Sequence, residues 1–302
     1  MTASVALPFR IGARTLWRVR RRLTRVPVSL QQAQAGEVPT LRGVEGANDG
    51  FLILSLPADR LDSVLAQNSG LKPFVRQRYN RFYARLDSSF DAYLAGFSAK
   101  SRSTLKRKVR KFTERSGGTL DLRCYRDVAE VDDFHRAARH VSARSYQEQL
   151  LDAGLPDGDG ALAEMRCLAS RDSMRGWILS LDGEPIAYLY APAEGATLIY
   201  AYLGYDPDFA DISPGTVLQF EAMRQLMEEG RFRLFDFTEG EGQHKRTFST
   251  GEVACVDLLL LKPTLPNLIV GASLAGFDAG VAGIKRILRS PALQGLARRL
   301  RR

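Results

Sequence analysis

The sequence predicts an α/β fold built on a mixed central sheet, and three observations predict it. From Thr119 onward, segments of strand and helix character follow one another in the order β-α-α-β-β-β-α-β-α-β. Asp182-Gly183 joins two apolar runs and signals a tight hairpin, hence antiparallel neighbours. Between Thr197 and Thr238 the pattern is strand, helix, strand, the crossover that a parallel pair requires. Hairpins together with one crossover give a sheet of mixed direction. A smaller α/β N-terminal region precedes this core, and basic helical ends flank it. The division expected is a basic amphipathic arm at 1–26, a small α/β region at 27–97, a main domain at 98–263 and a basic amphipathic tail at 264–302.

In residues 1–26, Leu7, Ile11, Leu16, Val19 and Leu23 recur among arginines at roughly helical spacing. A disordered arm, a mitochondrial-type presequence and a surface helix on anionic lipid all fit. Strands are expected at Val26–Leu30 and Phe51–Leu56, a short helix at Asp59–Ala66 and a further strand at Arg76–Leu86. Helices follow at Ser88–Phe97 and Ser98–Ser116, the second with Leu105, Val109 and Phe112 on one face and basic residues around the rest. Thr119–Tyr125 reads as a strand. Asp127–Arg144 reads as a helix capped by Asp127, with Val131, Phe134, Ala138 and Val141 turned inward, and Asp159–Arg171 as a second helix. Met174–Leu181 and Glu184–Pro192 are the hairpin strands. Thr197–Tyr205, a helix from Ser213 to Glu229, Arg233–Thr238 and Val253–Lys262 complete the core. Glycines, Asn267 and Asp278 argue against a membrane-spanning helix after Thr264, and the last residues suit an interfacial helix or a packed C-terminal one.

The chain of 302 residues carries a net charge of +9, unevenly placed. Residues 1–26 hold seven arginines and no acid, 98–115 hold eight basic residues against Glu114, and 264–302 hold seven against Asp278; the remainder is acidic. Three basic elements on an acidic body imply an anionic partner. Three scattered cysteines without a CxxC pair point to a reducing compartment, and three unpaired histidines make no metal site, so no metal is expected. No run of 18 uncharged apolar residues and no secretory segment is present, which points to a cytoplasmic protein, peripheral on the inner membrane if the basic ends meet lipid. Phe112 is the lone aromatic within 98–115, so no specific nucleic-acid partner is expected.

The chemistry concentrates between Thr197 and Phe248. Ser213 can cap a helix, Pro214 suits its first position, and Gly215 lets a ligand approach the backbone. Unpaired N–H groups and a positive dipole at such an end bind phosphate. Just past the next strand come Asp236, Glu239, Glu241 and His244. An ordinary strand-helix-strand unit with a well-capped helix explains the same residues. His135 and His140, five apart on one helix, are structural.

The element order, with SAKSRSTLKRKVRKF at 98–112, GEPIAYLY at 183–190, YLGYDPDFADISPGTVL at 202–218 and FDFTEGEGQHKRTF at 235–248, resembles the GNAT acyltransferases, specifically their CelD/BcsL-type, FemAB-related branch. Within that branch it is similar to bacterial ceramide synthases. The resemblance covers about Ser88 to Lys262. It implies a GNAT-like fold, acyl-CoA as donor, an amine acceptor, and a splayed strand (here Leu198–Leu203) that pairs with the donor's pantetheine arm. One departure stands out. The family signature Arg/Gln-x-x-Gly-x-Gly/Ala falls on Asp211-Ile212-Ser213-Pro214-Gly215-Thr216, with one glycine and no Arg or Gln. The branch often shows a Tyr-Lys pair where this chain has His244-Lys245.

The implied reaction is attack of an amine on a thioester, a transfer of acyl groups other than aminoacyl. His244 is the candidate base, with Glu239 or Glu241 as alternatives if burial raises its pKa. Leu203, Ser213, Gly215, Thr216 and Lys245 are the candidate donor-binding residues, and a backbone N–H along 198–203 would stabilise the oxyanion. The acceptor expected is a lipid amine such as a sphingoid base at an anionic membrane surface. Two other readings remain: N-acyl or aminoacyl transfer to a soluble envelope sugar or amino acid, and a non-enzymatic lipid- or RNA-binding protein on a degenerate transferase fold.

Overall fold

The computed structural model describes residues 2–11, 14–41, 46–145, 148, 154–240 and 242–288. The chain packs as two compact units, residues 1–80 with 253–302, and residues 81–252.

In the first unit, β1 (Thr2–Ile11) and β2 (Arg14–Pro27) form an antiparallel hairpin. They are followed by α1 (Leu30–Ala35), β3 (Gly50–Pro57), α2 (Leu61–Gln67) and the first part of β4 (Lys72–Arg85). Most of β11 (Gly251–Leu261) and α9 (Leu265–Leu288) complete it. The strand order is β1-β2-β3-β11-β4, with β2 parallel to β3, and β11 antiparallel to β3. Ser29 caps α1 through a reciprocal box with Gln32.

The expected helix over the N-terminal arm is corrected here: residues 2–11 and 14–27 are strands. Apolar residues alternate from Val5 to Phe9 and again at Val19 and Leu23, and this period of two prevails because it builds a face that α9 can cover. Val5, Leu7 and Leu23 are buried with Leu274, Phe9 meets Phe277 edge-on at 5.3 Å, and Gly271 lies so close to Phe74 that no side chain would fit. Arg21, on that inner face, is accommodated by Asn267 Oδ1 and the Pro266 carbonyl, both at 3.2 Å. The helix from Leu265 is therefore packed on the hairpin through Val270, Leu274 and Phe277, while the arginine-rich end expected to form an interfacial helix lies, from residue 289, outside the described residues. Among the described residues no helix is long and apolar enough to cross a membrane.

The second unit is the mixed sheet that the sequence predicts. Its elements are α3 (Phe90–Ala95), α4 (Ala99–Arg115), β5 (Asp121–Tyr125), α5 (Val131–Arg144), α6 (Asp159–Ala169), β6 (Met174–Leu181), β7 (Glu184–Glu194), β8 (Thr197–Ile199), β9 (Tyr202–Tyr205), α7 (Pro214–Glu229), β10 (Leu234–Asp236) and α8 (Gln243–Phe248). The order is β4-β10-β8-β7-β6-β5, with β9 also on β7; β10 runs parallel to β8 and antiparallel to β4. Both faces are covered. Trp177, Leu179 and Leu189 pack toward α3, α4 and α7, whereas Ile178, Tyr188 and Tyr190 pack toward α5 and α6. That is why β6 and the middle of β7 read as continuous apolar runs. The Asp182-Gly183 turn takes left-handed φ at both residues (54° and 80°), as its sequence predicts.

Two local differences matter for the site. The single strand expected at Thr197–Tyr205 breaks at Tyr200–Ala201: β8 pairs with β10, while β9 pairs with β7. The segment that carries His244 and Lys245 past β10, for which the sequence sets no element bounds, forms a short helix, α8, from Gln243.

Candidate active site

β10 ends at Asp236, whose carboxylate is fully buried. Arg81 of β4 grips it, with Nε 3.1 Å from both oxygens and Nη2 closer still. Asp236 Oδ1 also accepts the Thr238 N–H at 2.8 Å and holds that residue in a left-handed conformation, φ 61°. This buried pair fixes the direction in which the chain leaves the sheet. α8 then turns two neighbours to different uses. Lys245 points inward, its ammonium donating to the Glu239 carbonyl and reaching Thr238 Oγ1 at 3.5 Å. His244 lies against Tyr200, at the strand break, with Nε2 3.3 Å from the phenol oxygen. The Lys245 ammonium sits 5.8 Å from the same phenol ring's centre. Gly242 makes room for the imidazole, since a Cβ there would come within 2.7 Å of His244 Cε1.

His244 is exposed at the surface, yet neighbouring protein crowds its ring. The crowding, with the Lys245 charge second, pulls its pKa below the usual histidine value. His244 is thus neutral at pH 7 and able to accept a proton. Burial likewise lowers Lys245, opposed by Glu239 and Asp236, and raises the Tyr200 phenol well above its usual value. Tyr200 is therefore a proton donor throughout the physiological range.

The second half of the site lies where α7 begins. Ser213 does not cap with its side chain, which corrects the expectation: it sits in the left-handed region (φ 55°) and makes no side-chain cap bond. Its carbonyl instead takes the N–H groups of Thr216 (3.0 Å) and Val217 (3.2 Å). Pro214 has no N–H, so the Gly215 amide is the donor of this turn without a partner among the described residues. The basic helix α4 crosses here: Lys108 donates to Thr216 Oγ1 at 3.2 Å and Lys111 to the Asp211 carbonyl at 2.8 Å. Two ammonium groups and a helix start together make an anion-holding corner, tempered by Asp211, whose carboxylate is 3.4 Å from Lys111.

The broken strand links the halves. Gly215 packs on Leu203 and Tyr205 of β9, at 3.3 and 3.2 Å from where its Cβ would stand, while Tyr200 carries His244. The Asp206 N–H bonds to the Ile186 carbonyl on β7, so by strand alternation Leu203 and Tyr205 turn their N–H and C=O groups to the opposite edge. β10 ends at Asp236, level with Ile199, and leaves that edge of β9 open. Gln219, one turn along α7 on the face that carries Gly215, is buried with neither amide atom hydrogen-bonded.

Of the residues singled out in the sequence, His244, Lys245 and Glu239 come together around the turn after β10, with the Glu239 side chain exposed. Leu203, Gly215 and Thr216 gather at the α7 corner beside Ser213. Glu241 lies outside the described residues. Sequence reasoning missed Tyr200, which passes for a core aromatic in an apolar strand, and the Arg81–Asp236 pair, whose members are 155 positions apart. It also missed Gln219, although one amide on the apolar Gly215–Ala222–Leu226 stripe was a visible anomaly. No group of three or more metal-ligating side chains occurs among the described residues.

Residues 99–246 match the family model described as acetyltransferase (GNAT) domain. Over that stretch, just under half of the chain, the mixed sheet and its helices are consistent with a GNAT-like fold. Among solved structures, FemX is similar at 12% identity over 88% of this chain and 89% of that one, with a TM-score of 0.51. The C-terminal domain of an Agrobacterium fabrum protein, described as a candidate lysylphosphatidylglycerol synthetase, is similar at 15% identity over 78% and 73%, with a TM-score of 0.50. Likeness at such identities speaks for the fold. No curated protein sequence matches the chain.

Proposed function

We propose that the protein is an acyl-CoA-dependent N-acyltransferase that forms an amide on an amine presented at a membrane surface, a sphingoid-type lipid amine in the ceramide-synthase manner. One observation carries this reading: a broken strand connects an anion-holding helix start to a neutral-leaning imidazole paired with a phenol. The Gly215 amide, Lys108 and Lys111 suit the diphosphate of the donor, and the open edge of β9 suits its amide-bearing arm. The acceptor's amine gives a proton to His244 and attacks the thioester carbon. The oxyanion so formed meets the Leu203 N–H on the free edge. The C–S bond breaks, the thiolate takes a proton from Tyr200, and the proton held by His244 returns to the phenol across their 3.3 Å contact. Amide and free thiol leave with no net proton gained or lost. Lys245 packs under the phenol and holds the turn by its bond to Glu239.

The test is direct. Purified protein is offered acyl-CoAs of several lengths with sphingoid bases, other lipid amines and soluble amines, with amide product followed by mass spectrometry. Lipid profiling of a deletion strain should show loss of one amide-linked lipid class. Amide formed from soluble amines alone would remove the lipid half of the proposal.

A second reading has its own support. Lys100, Lys106, Arg107 and Arg115 of α4 are exposed and form no ion pair among the described residues, more positive charge than one diphosphate requires. A donor carried on a longer polyanion, such as an aminoacyl-tRNA, suits that face. Product formation that needs aminoacyl-tRNA and ignores acyl-CoA would select it.

A further inference from the structure

The hairpin of β1 and β2 has one face that none of the described residues covers. Arg18, Arg20 and Arg22 stand on it in a row, opposite Pro8, Ala6 and Ser4. All three arginines are exposed, and none of their guanidiniums forms an ion pair among the described residues, although the Arg22 backbone N–H donates to Asp49 Oδ2 at 2.9 Å. Two-residue steps along a strand place them about 7 Å apart, a row of roughly 14 Å. At the end where β1 passes to β2, three large apolar side chains face solvent: Trp17 is 68% exposed, Leu16 52% and Ile11 50%. They are half of the six large hydrophobics exposed among the described residues. Leu16 is the extra residue where the pairing register shifts between Phe9 and Arg10, which turns it out of the alternation. Trp17 is the register partner of Phe9, so it and Ile11 stand on the α9 side of the hairpin, past the point where Phe9 meets Phe277, and the arginines stand on the other side; the two groups approach each other at the hairpin's end.

We infer that the end of this hairpin is a membrane-docking element: Trp17, Leu16 and Ile11 enter the interfacial layer of an anionic phospholipid bilayer end-on, Arg18 beside them meets its phosphates, and Arg20 and Arg22 add attraction behind it. The pairing of one tryptophan and two aliphatic side chains with adjacent guanidiniums is what a headgroup boundary accepts. Leu16 and Ile11 have nothing to offer a nucleobase, for which stacking aromatics are needed. The chain's own residues 289–302 are an unsuitable cover, because they add Arg289, Arg298, Arg299, Arg301 and Arg302 with no acid to a surface already positive. The inference deepens the lipid-amine reading above, yet it is read by binding alone, so its failure leaves the transfer chemistry standing.

The test uses the full chain's two tryptophans. Trp177 is fully buried, with its indole N–H on Gln225 Oε1 at 2.8 Å, so a change in emission on binding belongs to Trp17. With vesicles of phosphatidylglycerol and phosphatidylcholine in equal parts, emission should shift to the blue, bromine-labelled lipid should quench it, and the protein should float with the vesicles. Pure phosphatidylcholine should do none of this. Trp17→Ser should abolish the shift and weaken flotation. Arg18→Gln, Arg20→Gln and Arg22→Gln together should weaken binding about fivefold per residue, on the order of a hundredfold in all at low salt. Equal binding to both vesicle types, or full binding to the anionic vesicles by both variants, overturns the inference. So does a shift produced by polyuridine or by raising protein concentration without vesicles, which would assign the face to RNA or to a second copy of the chain. Acylation of a short soluble amine, measured in the same variants, should stay unchanged.

Discussion

Replacing Asp236 by asparagine keeps an oxygen for the Thr238 N–H and removes the charge opposite Arg81. The Arg81 side chain is 10% exposed and that of Asp236 1%, so solvent cannot take over the lost role. Breaking such a buried pair from one side costs about 3–5 kcal/mol, most of it the loss of the carboxylate charge facing a buried guanidinium. For a unit the size of residues 81–252, each kcal/mol moves the melting temperature by about 2–4 °C, so a fall of roughly 6–20 °C is expected. Urea unfolding followed by tryptophan fluorescence and scanning calorimetry read the two quantities, and Trp177 is a buried reporter inside the unit. Adding Arg81→Met to Asp236→Asn should restore much of the loss, since the guanidinium goes with the carboxylate that faced it. If Asp236→Asn costs less than about 1 kcal/mol, or if the double variant is worse by the full sum of the single effects, the pair is not the anchor of the turn that carries His244 and Lys245.

His244→Ala should lower kcat by about 10²–10⁴ with the fold intact, as loss of a general base does. Because the His244 pKa is depressed in the folded protein, kcat/KM should fall only below about pH 6.5, and folding stability should decline in that same window as the unfolded chain takes up the proton first; a stability gain on acidification there would contradict the burial of the ring. Gly242→Ala should leave thermal stability nearly unchanged, as φ is −95° and the obstructed atoms belong to one side chain, yet cut turnover by displacing the imidazole; unchanged kinetics would mean that the ring is free to reposition. Gln219→Leu should stabilise the apo protein by about 1–3 kcal/mol by removing an unsatisfied buried amide, while raising KM for the acyl donor. Stabilisation without a change in KM would show that the amide does not serve the donor.

The elements that could be read in advance were those whose local signals agree. The Asp182-Gly183 hairpin, the Asp127 cap with Glu130 behind it and the stop of α7 at Gly230 each rest on residues adjacent in sequence. Misreadings arose where two periodicities fit one stretch. Leu7, Ile11, Leu16, Val19 and Leu23 satisfy helical spacing, but Val5, Leu7 and Phe9 satisfy alternation, and only the face that α9 covers decides between them. Ser213 carries a capping side chain, yet the short helical turn preceding it delivers the chain in a left-handed conformation that turns the hydroxyl from that task. His244 and Lys245 could be picked out because they cluster with acids just beyond a strand. Tyr200, Arg81 and Lys108 reach them, or the α7 corner, from elements far apart in sequence, and pairings of that kind are a property of the sheet's strand order.

The position of β11 sets a timetable for biogenesis. It lies between β3 and β4, with Leu258 to Leu261 wholly buried, yet it is synthesised some 170 residues after β4. As the chain leaves the ribosome, residues 81–252 have every one of their own strands before the first unit can close its sheet. Until then β3 and β4 present bare edges to the cell, which is where nascent-chain chaperones would find the most to hold.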